Sequence, residues 1–161
     1  MTIWARIRRL KIGQLIPFSL LFLNQPFLIR PTLRATKRTM VICDNLFGQA
    51  HHRSNKANAF RHALWNVLIC HKTLKKTKNI EKSIVWAKKV TNLYEKVTNN
   101  EEIEKAMDVH NNNVGLDLFL SVFGENEEEI VVLLQKMMKK SEKVTNLEDF
   151  ARHGHALVHL E

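Results

Sequence analysis

Polar side chains recur at helical spacing in two separate segments of the chain. The first set lies at positions i, i+3, i+4, i+7 and i+8: Asn58, Arg61, His62, Trp65 and Asn66. The second set lies at positions i, i+3, i+4 and i+7: Asp108, Asn111, Asn112 and Gly115. Side chains at these spacings project from one face of a helix. Asparagine is a poor helix former, so the run Asn111–Asn113 costs helix stability, and such a local conflict is typical of a functional or strained site.

If the two polar faces meet, three chemistries fit their residues. His62 could act as a general base oriented by Asp108, while asparagine amides stabilise a developing anion. His62 and Asp108 could instead hold a divalent cation together with Glu95 or His110. In the third chemistry, Arg61 and the amides grip a phosphate or carboxylate without a reaction. Metal and cofactor are left open by the sequence.

The alternative to a site is a hydrogen-bonded network that fixes how the two helices pack. Buried asparagine and histidine residues often have this role, and such a network is costly when incomplete. Gly115 would allow the helices to approach closely. His110 points about 100° away from its stripe and is a weaker member. The loop residues His51 and His52 precede the first stripe and could reach the same cleft.

The supporting elements are predicted to be helical. All three prolines fall within the first 31 residues, which favours long helices afterwards. We predict an all-α fold, a compact bundle of about six helices with an apolar, basic N-terminal arm. The first predicted helix covers Pro31–Phe47. The next runs from a cap at Ser54 or Asn55 to about His71, and the third covers Ile80–Val97. A cap at Asn99 or Asn100 begins a helix that ends at Phe123. The last two cover Glu127–Ser141 and, from a cap at Asn146, a short stretch to Arg152, before a tail that could be extended.

The length of 161 residues and the 45% hydrophobic content fit one globular domain. We divide the chain into an arm, residues 1–30, and a helical domain, residues 31–161. Cys43 and Cys70 form neither a CxxC pair nor a disulfide framework, which favours buried free thiols in a reducing compartment. The predicted location is therefore the cytoplasm, with membrane association at the inner face as an option.

The net charge of +9 is concentrated in the arm. Residues 1–40 carry eight basic and no acidic side chains, whereas residues 41–161 carry 17 basic and 16 acidic ones. A nearly neutral body does not favour nucleic-acid binding. The apolar run at 15–23 is too short to span a bilayer, which takes about 20 residues. No cleavage site of the signal-peptide type follows it.

The sequence allows two interpretations of the arm. It leaves the oligomeric state open. The basic residues flank apolar ones in a pattern that suits an anionic membrane surface or a protein partner contacted through residues 1–30. The basic residues are Arg6, Arg8, Arg9 and Lys11, and the apolar ones are Trp4, Leu10, Ile12 and Phe18. In the second reading, the same apolar side chains pack under the helical body.

The segments Asn58–Asn66 and Ala106–Gly115 resemble an uncharacterised bacterial helical family. Its pattern is N-A-F-R-H-x-x-W-N, then a His-Glu pair, then M-D-x-H-N-N-x-x-G, and the resemblance covers about residues 30–125. The family occurs as free-standing proteins in Bacteroidota and at the ends of Rhs-type polymorphic toxins, whose tips are usually hydrolases or modifying enzymes. Here the His-Glu pair falls at Tyr94-Glu95, and only its glutamate is retained.

Together, the stripes and the resemblance suggest a hydrolase-like pocket for a phosphate- or acyl-containing substrate. The catalytic candidates are His62, Asp108 and Glu95. The substrate-binding candidates are Asn58, Arg61, Trp65, Asn66, Asn111 and Asn112. The alternative is a non-catalytic peripheral membrane or protein-interaction module in which the stripes are architectural.

Overall fold

Six α-helices and a two-stranded sheet make up the residues that the computed structural model describes, 12–98 and 100–161. The helices are α1 (Ile12–Asn24), α2 (Pro26–Phe47), α3 (Lys56–Thr77), α4 (Ile80–Val97), α5 (Glu102–Ser121) and α6 (Glu127–Lys139). A 3₁₀ turn at Ala50–His52 joins α2 to α3, and a second at Asp149–Arg152 lies between strands β1 (Glu142–Lys143) and β2 (Val158–His159). The predicted all-α bundle is confirmed.

Helix α3 is the centre of the bundle and packs against α2, α4, α5 and α6. Fifteen of its 22 residues are buried, so nearly its whole circumference faces other helices. Its start is fixed by Asn55, whose side chain accepts hydrogen bonds from the backbone N–H groups of Ala57 and Asn58. Its polar stripe therefore lies inside the protein, where each polar group needs a partner.

Several predicted boundaries are wrong by a few residues. Helix α2 begins at Pro26 rather than Pro31, and it runs across the position where the arm was divided from the domain. Helix α3 continues to Thr77 and ends at Lys78, which takes a left-handed conformation. Asn100 does not cap α5, because the capping position is Glu101. Asn99 lies outside the described residues.

The arm is divided between packed and exposed side chains. Phe18 and Phe22 stack 6.2 Å apart, and the ring of Phe22 lies 6.0 Å from that of Trp86 in the core. Leu28 is buried. Part of the arm therefore packs under the body. The predicted contacts of Trp4, Arg6, Arg8, Arg9, Leu10 and Lys11 fall outside the described residues, as does the side chain of Ile12.

The chain ends against α3 and α5. The short strands β1 and β2 are parallel, with Glu142 opposite Val158. The backbone N–H groups of Leu160 and Glu161 both donate to the carbonyl of Ser54, just before α3. The predicted extended tail is thus a strand that covers one side of the two stripe-bearing helices. Among the described residues, no helix has both the length and the apolar character needed to cross a membrane.

Helices α3 and α5 approach closely at Gly115, and this contact gives the first prediction. A Cβ atom at this position would lie 2.7 Å from the Cα of Ala63 and 2.9 Å from its carbonyl carbon. Because these are backbone atoms, they cannot swing away. We expect Gly115→Ala to lower the free energy of unfolding by about 1–3 kcal/mol or more, measured by urea denaturation.

Gly13→Ala is the matched control, because Gly13 is also helical but a Cβ there would meet nothing within 4 Å. That substitution should leave stability unchanged or raise it slightly. Equal destabilisation by the two variants would contradict the close approach as the cause.

The two cysteines give a prediction of chemical reactivity. Both thiols are free and buried, and burial raises the pKa of Cys43 and of Cys70 to about 12. Because the thiolate is the reactive form, we expect neither to react rapidly with Ellman's reagent at pH 8. Two thiols should be titrated after unfolding in guanidinium chloride. A fast-reacting thiol in the native protein would contradict this prediction.

Candidate functional site

The two polar stripes meet where α3 and α5 are closest. His62 and Asn66 on α3 face Asp108 and Asn112 on α5, one to two turns from the contact at Gly115. All four side chains are buried. The structure thus brings the two stripes together, which is the condition on which the three proposed chemistries depended, and the glycine allows this approach.

His62 is fully buried, and each of its ring nitrogens faces named partners. Nδ1 lies 3.2 Å from Asn112 Oδ1 and 3.4 Å from Glu95 Oε1. Nε2 lies 2.6 Å from the Nη2 atom of Arg61 and 3.2 Å from Asp108 Oδ1. An amide oxygen can only accept, and a guanidinium nitrogen can only donate. The two acceptors beside Nδ1 place a proton on that nitrogen, whereas Nε2 lies between a donor on Arg61 and an acceptor on Asp108.

A chain of hydrogen bonds between side-chain amides fixes the acceptors that face Nδ1 of His62. Asn66 donates to Asn112 Oδ1 at 2.8 Å, and Asn112 donates to Glu95 Oε1 at 3.2 Å. Thr91, one turn before Glu95 on α4, donates to Asn66 Oδ1 at 3.2 Å. These directions fix which amide atom is oxygen and which is nitrogen. Glu95 and Asn112 therefore present acceptors to the Nδ1 side of His62.

Arg61 links this network to the turn before α3. Its Nε atom donates to the backbone carbonyl of His51 at 3.1 Å, while its Nη2 contacts His62. The guanidinium is thus held at two points, and the side chain is almost completely buried. The His51–His52 loop reaches the His62 region, and it does so through the backbone carbonyl of His51, which contacts Arg61.

The rim of the cluster lies at Asp108, Asn58 and Arg61, which are 4%, 5% and 6% exposed. Asn100, an exposed residue in the connection between α4 and α5, donates to Asp108 Oδ2 across 3.4 Å. This is a long hydrogen bond, near the limit of a useful interaction. Access to the cluster therefore depends on this connection and on the turn that holds Arg61.

Three predicted site members have other partners. The side chain of Asn111 makes two hydrogen bonds with the backbone of Val158 in β2. It donates to the carbonyl and accepts from the N–H group. Trp65 donates to Thr36 Oγ1 on α2, and its ring lies edge-on to Tyr94 at 5.3 Å. His110 contacts the carbonyl of Ala156. The structure brings none of these three to the ring of His62.

Thr91 and Asn100 are cluster members that the sequence did not reveal. Thr91 precedes Glu95 by four residues and so shares its helical face, which is the one signal that could have identified it. Asn100 was assigned to helix capping, because asparagine before a helix ordinarily has that role.

The same cluster offers a set of metal ligands. His62, Glu95 and Asp108 each provide one ligand atom within 4.8 Å of those of the other two. One imidazole and two carboxylates form a donor set suited to Zn²⁺ or Mn²⁺.

An open surface cleft lies elsewhere, between the end of α5 and α6, and shares no residue with the cluster. Its lining residues are Ser121, Val122, Glu125, Glu129, Ile130 and Leu133.

Comparison with known proteins identifies the family but no activity. No curated protein and no solved structure matches the chain significantly. The profile of one family, described as a domain of unknown function (DUF6973), matches residues 19–142. The match contains both polar stripes, Glu95 and most of the helical bundle. The chain therefore belongs to the DUF6973 family of domains of unknown function.

Proposed function

We propose that this protein is a hydrolase in which His62 acts as a general base on a phosphate- or acyl-containing substrate. One observation carries the proposal: Nδ1 of His62 faces acceptors on Asn112 and Glu95, whereas Nε2 lies 2.6 Å from Arg61 Nη2 and 3.2 Å from Asp108 Oδ1. A carboxylate that orients an imidazole in this way leaves the other ring nitrogen basic.

The proposed reaction uses water as the nucleophile. Nε2 of His62 removes a proton from water, and the hydroxide attacks the phosphorus or the carbonyl carbon of the substrate. The bond to the leaving oxygen breaks, and that oxygen takes the proton back from the imidazolium. Glu95 stabilises the imidazolium while it exists, because it lies 3.4 Å from Nδ1.

The substrate would be held from the α3 side of the cluster. Arg61 offers a guanidinium, which pairs well with phosphate or carboxylate oxygens. On binding, its Nη2 would exchange its contact with His62 for one with the anionic group. Entry requires Asn100 to move away from Asp108, to which it donates a hydrogen bond of 3.4 Å.

The motif resemblance adds support from a different direction. The two stripes resemble domains at the tips of Rhs-type polymorphic toxins, a setting in which hydrolases are common. The pair that begins with histidine in that pattern begins here with Tyr94, whose ring packs on Trp65. The proposal therefore uses Glu95 alone and assigns no proton transfer to position 94.

His62→Gln tests the proposal. In the wild type we expect hydrolysis of at least one chromogenic ester among p-nitrophenyl phosphate, bis(p-nitrophenyl) phosphate and p-nitrophenyl acetate. Loss of the general base should lower kcat by about 10²- to 10⁴-fold. Glu95→Gln keeps the Oε1 acceptor for Asn112 and His62 but removes the charge, so it should lower kcat while leaving the fold intact.

His110→Gln is the matched control, because His110 lies in the same motif but its Nε2 contacts the carbonyl of Ala156 in the tail, away from His62. It should keep wild-type kcat. Equal activity of the His62 and His110 variants would contradict a catalytic role for His62.

A second candidate function is favoured by the near-complete burial of the cluster. In this reading the stripes are architectural, and the protein is a non-catalytic module. Removing a partner from a buried network costs about 1–3 kcal/mol. Loss of that much stability in His62→Gln, Asp108→Asn and Asn112→Ala, with no ester hydrolysed by the wild type, would favour this reading over the hydrolase.

The binding surface of such a module would be the outer face of the arm. Ile16, Leu20, Leu23 and Phe27 are 53–74% exposed and recur at i, i+4, i+7 and i+11. The exposed basic residues Arg30, Arg34 and Lys37 follow on α2, and no acidic residue occurs in positions 1–40. An apolar stripe beside unopposed positive charge fits an anionic bilayer surface.

Vesicle sedimentation tests this surface. The full chain should bind vesicles that contain phosphatidylglycerol and not vesicles of phosphatidylcholine alone. Leu20→Ser with Leu23→Ser should weaken that binding, because the apolar stripe loses two large side chains. Truncation of residues 1–30 is a poorer test, since it would also remove Phe22 and Leu28 from the core.

Leu120→Ser supplies the control, because Leu120 on α5 is 59% exposed, as is Leu20 on α1. If this variant and the double variant bind the anionic vesicles equally, the arm is not the docking surface.

A further inference from the structure

A second group of metal-ligating side chains lies at the carboxyl end of α2, outside the His62 cluster. Asp44 is in the last turn of this helix, and His51 and His52 are in the 3₁₀ turn that follows. Each of the three offers a ligand atom within 4.8 Å of those of the other two. Two sequence-adjacent histidines and a carboxylate thus come together without belonging to either polar stripe.

His51 is the part of this group that packing alone does not explain. Its ring is completely buried, and its Nε2 lies 2.9 Å from Asp44 Oδ1. Its Nδ1 is also buried and has no hydrogen-bond partner within the described part of the chain. A buried ring nitrogen without a partner is destabilising, so packing alone does not account for the position of this ring. In a metal site built from these residues, the ion would lie between Asp44 and Nε2 of His51, in place of their hydrogen bond.

We propose that Asp44, His51 and His52 form a binding site for one divalent transition-metal ion of the Zn²⁺ or Co²⁺ class. Two imidazoles and one carboxylate are a donor set that these ions favour. Asp44 is exposed and His52 is half-buried, so the ion enters from the surface and keeps at least one position for water.

The site would act on the polar cluster through the backbone. The carbonyl of His51 accepts the hydrogen bond from Arg61 Nε at 3.1 Å. A metal ion on His51 and His52 fixes the turn that carries this carbonyl, and therefore fixes the guanidinium beside His62. The proposal does not depend on hydrolysis, since the ion would bind whether or not the cluster is catalytic.

The test is metal titration of the full-length protein after removal of metals with a chelator. Zn²⁺ binding is followed by calorimetry, Co²⁺ binding by its visible absorption, and stability by Tm. We expect one ion bound at this site and a rise in Tm with Zn²⁺. Asp44→Asn and His52→Ala should each weaken binding about 10- to 100-fold or more, since even residues that only support a ligand cost that much.

Two controls make the outcome decisive. His155→Ala removes a surface histidine that is 84% exposed, and Glu95→Gln removes a ligand of the other candidate group. Both should keep this ion. Asp44→Asn retains an acceptor for His51, so its metal-free Tm should match that of the wild type. The proposal is overturned if the wild type binds no ion, if Asp44→Asn and His52→Ala bind as the wild type does, or if binding is lost only in Glu95→Gln.

Discussion

The close approach of α3 and α5 at Gly115 is the constraint on which the interior of this protein depends. With a Cβ atom at Gly115, the backbone of Ala63 would have to move, and the helices would separate. Within one turn of this contact, the same separation decides whether His62 and Asn66 reach Asn112 across the interface. Those hydrogen bonds are 2.8 and 3.2 Å long, so a shift of about 1 Å would break them.

Once the helices are this close, the polar groups between them must satisfy one another. Asn66, Asn112 and Glu95 form a chain of donors and acceptors that leaves little freedom for the ring of His62. Such a chain is costly if one member is missing and rigid if all are present. Rigidity serves both candidate functions, because it fixes helix packing and also fixes an imidazole in one tautomer. Only kinetic and stability measurements made on the same variants separate the two.

Arg61 and helix α1 each connect the interior of the protein to its surface. Through the carbonyl of His51, Arg61 connects the buried cluster to a turn with its own candidate ligands. Helix α1 is apolar on both sides, because Phe22 packs on Trp86 while Leu20 and Leu23 face outward. Because the body of the protein packs against one side of α1, the apolar residues on its other side stay exposed. This exposed apolar side of α1 is the surface proposed to contact a membrane.

Spacing and local residue chemistry in the sequence were enough to predict the all-α fold, a helix cap at Ser54 or Asn55, and the grouping of the polar residues on one face of each of two helices. These features depend on spacing along one helix and on local backbone chemistry. Partners across the interface depend on where helices pack, which spacing does not contain. Asn111 and Asn112 lie about 100° apart on α5, so the tail takes one and His62 takes the other. Thr91 and Asn100 joined the cluster from α4 and from the connection after it; helical spacing links Thr91 to Glu95, but no spacing links either residue to His62. The tertiary structure alone decided those contacts, because residues distant in sequence become neighbours only when the helices pack.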